Sequence, residues 1–379
     1  VSPLGTGLTA FWDGLVAGRS AVAPIRRFRV DGLDPATAAE VASDSGPDRD
    51  RAGWFAVSAA TEALAAAGIR PGTIDPARIG VALGTTLGGM EIFEAWDLAD
   101  AAGDEPLPPH LERVPYFASA TRVAAAIGAR GPVMTTQLAC ASGTQAVAMA
   151  ADWVRAGQAD VVLAGGSDLL CRFVVAGFNS LRATAEVARP FDRDRRGLVL
   201  GEGAAVLVIE EEEHAARRGA RAAARVLGTG AAGDAVHMTA PDREGGGVVR
   251  AIRAALADAG VMPAGVDFVS AHGTGTPFND AMEARALVQL FGERAVPVNS
   301  IKGAIGHTLG AAGAFEAVLC AEVLARGAVP PTAGLLEVDP ECAGLDLVRG
   351  AARPCDARVA LSTSSGFAGA NAALLLGRV

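Results

Sequence analysis

The sequence predicts an α/β protein in which sheets and helices pack in layers, and three observations carry that prediction. Short β-branched runs alternate with alanine-rich stretches along the chain, the pattern of strands and helices around a sheet. Of 379 residues, 50% are hydrophobic and only 20% charged, enough to bury one large core or two fused ones. The alternation also runs twice, with a join near residue 220, which suggests an internally duplicated architecture.

In the first series, segments 79–86, 133–138, 160–165 and 204–210 read as strands, and 54–67, 141–156 and 212–220 as helices. In the second, strands are expected at 223–230, 267–271, 296–299 and 358–362, and helices at 246–259, 279–291 and 310–326. The division expected from this is 1–222, carrying Cys140, and 223–379, carrying His272, Lys302 and His307. The tract 87–118 holds Pro106, Pro108, Pro109 and Pro115 among several acids and reads as a surface excursion.

Composition excludes several classes of function. Apolar stretches such as 161–165 and 204–209 fall far below the roughly 20 residues of a membrane span, and no charged-then-apolar leader opens the chain. A soluble, cytoplasmic protein is expected. A net charge of −9 gives no general attraction to nucleic acid, so an acidic partner would need a local basic patch. The cysteines Cys140, Cys171, Cys320, Cys342 and Cys355 are scattered without a C-x-x-C pair, and no two histidines stand at metal-ligating i,i+4 spacing. Reduced thiols and no metal are the expectation.

Three segments carry chemistry. In Thr135-Thr136-Gln137-Leu138-Ala139-Cys140-Ala141-Ser142-Gly143-Thr144 a β-like run ends at a thiol where small residues open a helix. Unpaired N–H groups at a helix start favour a thiolate and can later hold an oxyanion. Taken alone, Cys140 could equally be a small buried hydrophobe. In Val269-Ser270-Ala271-His272-Gly273-Thr274-Gly275-Thr276-Pro277 a histidine ends a strand and a glycine-rich turn follows, where ligands of layered folds sit. The third segment, Asn299-Ser300-Ile301-Lys302-Gly303-Ala304-Ile305-Gly306-His307, places a lysine ahead of a second histidine. In so apolar a stretch Lys302 needs an anion, for which Glu316 is the candidate. For His110 and His214 a structural role is the preferred reading.

Together these segments resemble the elongating ketosynthases of the thiolase superfamily, specifically type II β-ketoacyl-acyl-carrier-protein synthases of fatty-acid and polyketide pathways. The resemblance covers essentially the whole chain and includes Val1-Ser2-Pro3-Leu4-Gly5, Pro190-Phe191-Asp192-Arg193-Asp194-Arg195, Gly201-Glu202-Gly203-Ala204, His237-Met238-Thr239 and Gly366-Phe367-Ala368-Gly369-Ala370-Asn371. It implies a thiolase-like fold, two duplicated βαβαβαββ halves in five layers (α-β-α-β-α), and decarboxylative Claisen condensation of an enzyme-bound acyl group with malonyl carrier protein. By the same resemblance Cys140 is the nucleophile, His272 and His307 the decarboxylation pair, and Lys302 their electrostatic support held by Glu316. Phe367 is the gate, its N–H completing an oxyanion hole with that of Cys140, and Thr239 lies where the phosphopantetheine arm enters. Arg182, and a second region with Arg49 and Arg51, fall where carrier-docking arginines are expected, ordinary surface charge being the alternative for that pair. No tightly bound cofactor is implied. The implied partners are the acyl carrier protein and an identical subunit or a chain-length factor.

Departures from the family pattern bear on specificity. The strand that usually precedes Val1-Ser2-Pro3 is absent, 116–131 is shortened by roughly a turn and a half of helix, and in the gate turn Ala368 replaces a glycine and Ser365 an aromatic. The shortened segment and the altered gate favour a specialised polyketide or polyene pathway over housekeeping fatty-acid synthesis. The rival readings are a non-catalytic chain-length-factor-like subunit, which generally lacks the cysteine, and an acyltransferase or thiolase-like enzyme on the same fold. A thiolase needs a second cysteine where this chain has Phe367.

Overall fold

The fold is that of a computed structural model, which describes residues 1–42, 50–70, 72–101 and 110–379, the side chains of 98–101 excepted. Its frame is two sheets. The first has the strand order Val133–Thr136, Ile79–Gly84, Val161–Asp168, Gly203–Glu210, parallel except for the last strand. The second runs Asp346–Leu347, Pro297–Asn299, Phe268–Ser270, Val359–Gly366, Ala370–Gly377, Arg225–Gly233, and its last two strands join antiparallel.

Because side chains alternate across a strand, each sheet serves two cores. Ala82, Val162 and Ala164 of the first sheet and Phe268, Leu374 and Leu376 of the second meet the helices Ser142–Arg155 and Ala312–Arg326 in a shared central core. The intervening residues Val81, Leu83, Val161 and Leu163 pack outward on helices Arg51–Ala66 and Ala118–Ile127. On the far side Val269, Leu361 and Leu375 pack on Gly246–Ala259 and Pro277–Phe291. The layers are therefore α-β-α-β-α.

Glycines bring the two central helices together. A Cβ on Gly143 would lie 2.8 Å from Gly310 O, and one on Gly313 only 2.0 Å from Thr144 Oγ1. Packing this tight leaves no room for a methyl group, an overpacking that costs about 1–3 kcal/mol in a close-packed core. Its consequence is that both helices begin at the same spot between the sheets.

The structure departs from the sequence reading in three places. The tract 87–118 is not merely a surface excursion: it contains the helix Met90–Ala101, whose Glu91 pairs with Arg27 and whose Glu94 accepts from the backbone N–H groups of Arg172 and Phe173. Helices Leu8–Val16, Ala118–Ile127 and Arg172–Ser180 were not anticipated. Nor was the strand Ala370–Gly377, whose alanines and leucines are helix formers overridden by burial between two neighbouring strands. Among the described residues no helix is long and apolar enough to cross a membrane.

Candidate active site

Cys140 sits in a tight turn between the edge strand Val133–Thr136 and the helix Ser142–Arg155. Ser142 builds that turn: its Oγ donates to Ala139 O at 2.6 Å and accepts from Leu138 N–H at 2.8 Å, while Thr136 Oγ1 donates to Ser142 O at 2.8 Å. Ala139 is thereby held at φ 46°, left-handed backbone that a side chain adopts at a cost. The sulfur is almost wholly buried, and burial pushes the thiol up to about 12, the Lys302 ammonium and the Phe367 N–H pulling the other way. A thiolate stabilised by the helix start was expected; here desolvation outweighs that local help, and the resting sulfur keeps its proton.

Behind the cysteine lies a buried polar cluster. His272 follows the strand Phe268–Ser270, and its turn is held by two carboxylates of the helix Pro277–Phe291. Glu283 accepts from the N–H groups of His272 and Gly273, each at 2.8 Å, and from Thr363 Oγ1 at 2.8 Å. Asp280 accepts from Thr274 N–H at 3.0 Å and Gly275 N–H at 3.1 Å. Gly273 is required here, since a Cβ would come within 2.6 Å of the Phe191 ring.

The two imidazoles meet edge to face, ring centroids 5.2 Å apart at 87°. His307 is anchored through its backbone, N–H to Val199 O at 2.7 Å and C=O from Gly201 N–H at 2.9 Å, and its Nδ1 has no hydrogen-bond partner among the described residues. Lys302 Nζ lies 3.3 Å from His272 Nδ1 and pairs with Glu316. An ammonium can only donate, so His272 Nδ1 accepts and its ring proton resides on Nε2. Burial first, then the Lys302 charge, holds both histidines well below their ordinary value, so both are neutral donors. Burial raises Glu316 to about 7 against the pull of Lys302. Ser364 Oγ donates to Glu316 Oε2 at 3.3 Å and lies 2.8 Å from Thr144 Oγ1, which ties this cluster back to the cysteine helix.

In front of the cysteine stands the turn 366–369. Gly366 lies against it, a Cβ there falling 3.1 Å from Cys140 N. The Phe367 ring stacks on Phe178 with centroids 5.6 Å apart and planes 24° apart. Ala368 takes φ 62°, the left-handed value a glycine would suit, and its N–H donates to Met238 O at 2.7 Å. That bond sets the exposed Thr239 one residue from the contact with the turn, where its N–H donates to His237 Nδ1 at 3.1 Å.

The structure thus brings Cys140, His272, Lys302, His307, Glu316 and Phe367 to the meeting point of the two central helices. It does not bring Arg51 to the surface. Arg51 is 2% exposed and pairs with Glu202 at 2.6 Å, so its assignment to carrier docking is corrected to a buried structural ion pair. Arg49 lies outside the described residues, and Arg182 is exposed on the turn after Arg172–Ser180.

Sequence reasoning missed Glu283, Asp280 and Asp168. Asp168, pushed up to about 6 by burial, accepts from Thr85 Oγ1, Thr86 N–H, Leu87 N–H and Gly310 N–H at 2.6 to 3.0 Å, joining the end of the first sheet to the turn before the Glu316 helix. The one signal available was its position, an acid closing an otherwise uncharged strand.

Two family models match the chain: residues 1–215 fit the beta-ketoacyl synthase N-terminal domain and 223–336 the C-terminal domain of the same family. The chain belongs to the beta-ketoacyl synthase family. A "putative polyketide beta-ketoacyl synthase 1" from Streptomyces cyaneus is 41% identical, covering 99% of this chain and 95% of the relative. Among solved structures, the ishigamide ketosynthase/chain length factor superposes with a TM-score of 0.95 at 39% identity, over 100% of this chain and 97% of that one. A chain of AntDE:AntF (apo), a type II polyketide synthase acyl-carrier protein in complex with its ketosynthase bound to the hexaketide, superposes with a TM-score of 0.91 at 31% identity, over 100% of this chain and 97% of that one. The layered α/β fold is the one expected for such a synthase.

Proposed function

We propose that this chain is a catalytic β-ketoacyl synthase of the type II polyketide kind, and that Cys140 carries the growing acyl group. The observation that carries the reading is the convergence of a thiol, two neutral imidazoles and a backbone N–H at the shared start of the central helices.

In the loading step the Cys140 sulfur attacks the thioester of an acyl carrier protein. A bond forms between that sulfur and the acyl carbon, the bond to the phosphopantetheine sulfur breaks, and the Cys140 proton leaves with the departing thiol. The N–H groups of Cys140 and Phe367 stabilise the tetrahedral oxyanion. A malonyl thioester then binds with its carbonyl oxygen facing His272 Nε2–H and His307. Carbon dioxide departs, its bonding electrons become an enolate held by those donors, and the enolate carbon attacks the acyl carbon. The Cys140 thiolate leaves and takes up one proton from solvent, the proton that the condensation consumes overall. Lys302 keeps His272 in the donating tautomer, and Glu316 balances its charge.

For a partner subunit, the exposed Val133 and Met134 on the sheet-edge strand, with Tyr116 and Phe117 around a hollow of about 600 Å³, form an apolar edge of the sort that proteins cover. A second ketosynthase or a chain-length factor fits it. Arg182 is the proposed carrier-docking residue.

The decisive test is Cys140→Ala with a panel of acyl carrier proteins, read by intact-protein mass. Acyl loading falls to nothing while the melting temperature holds; a variant that still accepts an acyl group removes the assignment. A wild-type chain that never loads favours the non-catalytic subunit instead.

A further inference from the structure

The turn that faces Cys140 is fastened by a chain of side-chain hydrogen bonds that the condensation itself does not use. Ser365 and Asn371 stand opposite each other across the hairpin formed by Val359–Gly366 and Ala370–Gly377. Ser365 Oγ donates to Asn371 Oδ1 at 2.9 Å. With Oδ1 so engaged, the amide is braced in the orientation in which Asn371 Nδ2 donates to Asp234 Oδ1 at 2.7 Å and to Gly369 O at 3.1 Å. Asp234 answers from the other side: its N–H donates to Gly369 O at 2.8 Å, and its Oδ2 accepts from Asp242 N–H at 3.1 Å.

The fastening opposes a strained residue. Ala368, inside the turn, holds a left-handed conformation that disfavours any side chain, and its methyl group is exposed. The bonds on either side of it must therefore hold the turn where it is, with Gly366 against the cysteine and the Phe367 ring on Phe178. An acyl chain reaching Cys140 from outside has to displace this turn, because the sulfur is almost wholly buried with the turn in place.

We propose that Ser365 is a positioning residue for acyl loading: by orienting the Asn371 amide toward Asp234 it sets how readily the Phe367 turn leaves Cys140, and hence which acyl chains are loaded. The proposal rests on the reading of Cys140 as the acyl-carrying nucleophile, but its first readout does not.

That readout is alkylation of Cys140 by iodoacetamide in the full-length protein, followed by peptide mass. Ser365→Ala accelerates it about threefold to tenfold, the factor one such hydrogen bond is worth, and Ser365→Thr, which keeps the hydroxyl, restores the wild-type rate. In the second readout, Ser365→Ala raises loading of a long acyl chain relative to a short one by a similar factor, with the melting temperature close to wild type. Unchanged alkylation in Ser365→Ala, or a Thr variant as fast as the Ala variant, overturns the proposal. Should Ser365→Ala fail to fold, Asp234→Asn serves in its place, and an unaltered alkylation rate there is equally fatal. If the wild type never loads an acyl group, the catalytic reading fails while the alkylation result still decides the role of Ser365.

Discussion

The walls behind and in front of Cys140 are built by opposite means. Behind it, His272, Lys302, His307, Glu316 and Glu283 are all buried, and almost every contact is between a charged or polar side chain and a partner it cannot exchange for water. In front, the Phe367 turn is half exposed and is held by hydrogen bonds to the 234–242 segment that involve no cationic side chain: Asn371 to the Asp234 carboxylate, and backbone bonds to Asp234 and Met238. Breaking a buried polar contact strands its partner and costs several times a surface hydrogen bond. Under the proposed function, the difference separates a rear wall that carries the reaction and tolerates little change from a front wall in which a substitution adjusts access to the sulfur. Both departures in the gate, Ser365 and Ala368, lie in the front wall.

The sharpest way to break this contrast is to remove the rear donors. His272→Ala and His307→Ala each lower malonyl-thioester decarboxylation by about 10²–10⁴-fold, the range for losing a positioned donor from a water-excluded site. Carbon dioxide release measures it, and undiminished release in either variant takes that histidine out of the mechanism.

A smaller effect, on the order of tenfold, separates a buried histidine from an exposed one on the pH axis. Burial holds both histidines well below 6.5 in the folded chain, whereas the unfolded chain titrates them near 6.5. Below pH 6.5 the unfolded state therefore binds protons that the folded state refuses, so the stability that rests on the neutral histidines is lost as pH falls through 6.5. Activity behaves differently, because the folded pair stays neutral, and protonation of Glu316, raised to about 7, leaves in place the Lys302 charge that sets the His272 tautomer. Decarboxylation at pH 5.5 keeps most of its pH 7 rate, as long as circular dichroism reports a folded chain. A drop of about tenfold between those values, the loss expected for an ordinary imidazole, would show that the rear wall is wetter than its burial implies.

The same contrast explains what the sequence disclosed. That Cys140, His272, Lys302 and His307 come together could be expected only from their three segments jointly and from the family resemblance, since Cys140 alone reads equally as a small buried hydrophobe. Glu283 and Asp280 were not legible, because an acid on a helix reads as a solvated face until the turn it caps is known, and that turn lies on another element. Arg51 misled for the same reason: it follows a run of acids and arginines that reads as surface, yet its partner Glu202 is 151 residues away. The layer pattern and most strands of both sheets were visible in the alternation of residues. Ala370–Gly377 was not, since only its place between two strands overrides its helical composition.

The smallest effect tests the front wall alone. Ala368 is exposed, so replacing it removes little packing, and its φ of 62° is one that glycine adopts without penalty. Relief of left-handed strain is worth about 1–2 kcal/mol, and the extra freedom of glycine in the unfolded chain returns about 0.5–1 kcal/mol. Ala368→Gly therefore stabilises by somewhat under 1 kcal/mol, a rise in melting temperature of about 1–2 °C for a chain of this size, which differential scanning calorimetry resolves. A fall in melting temperature would mean that the methyl group contributes a contact in the intact assembly, and that the front wall is covered by a partner rather than open to the entering acyl chain.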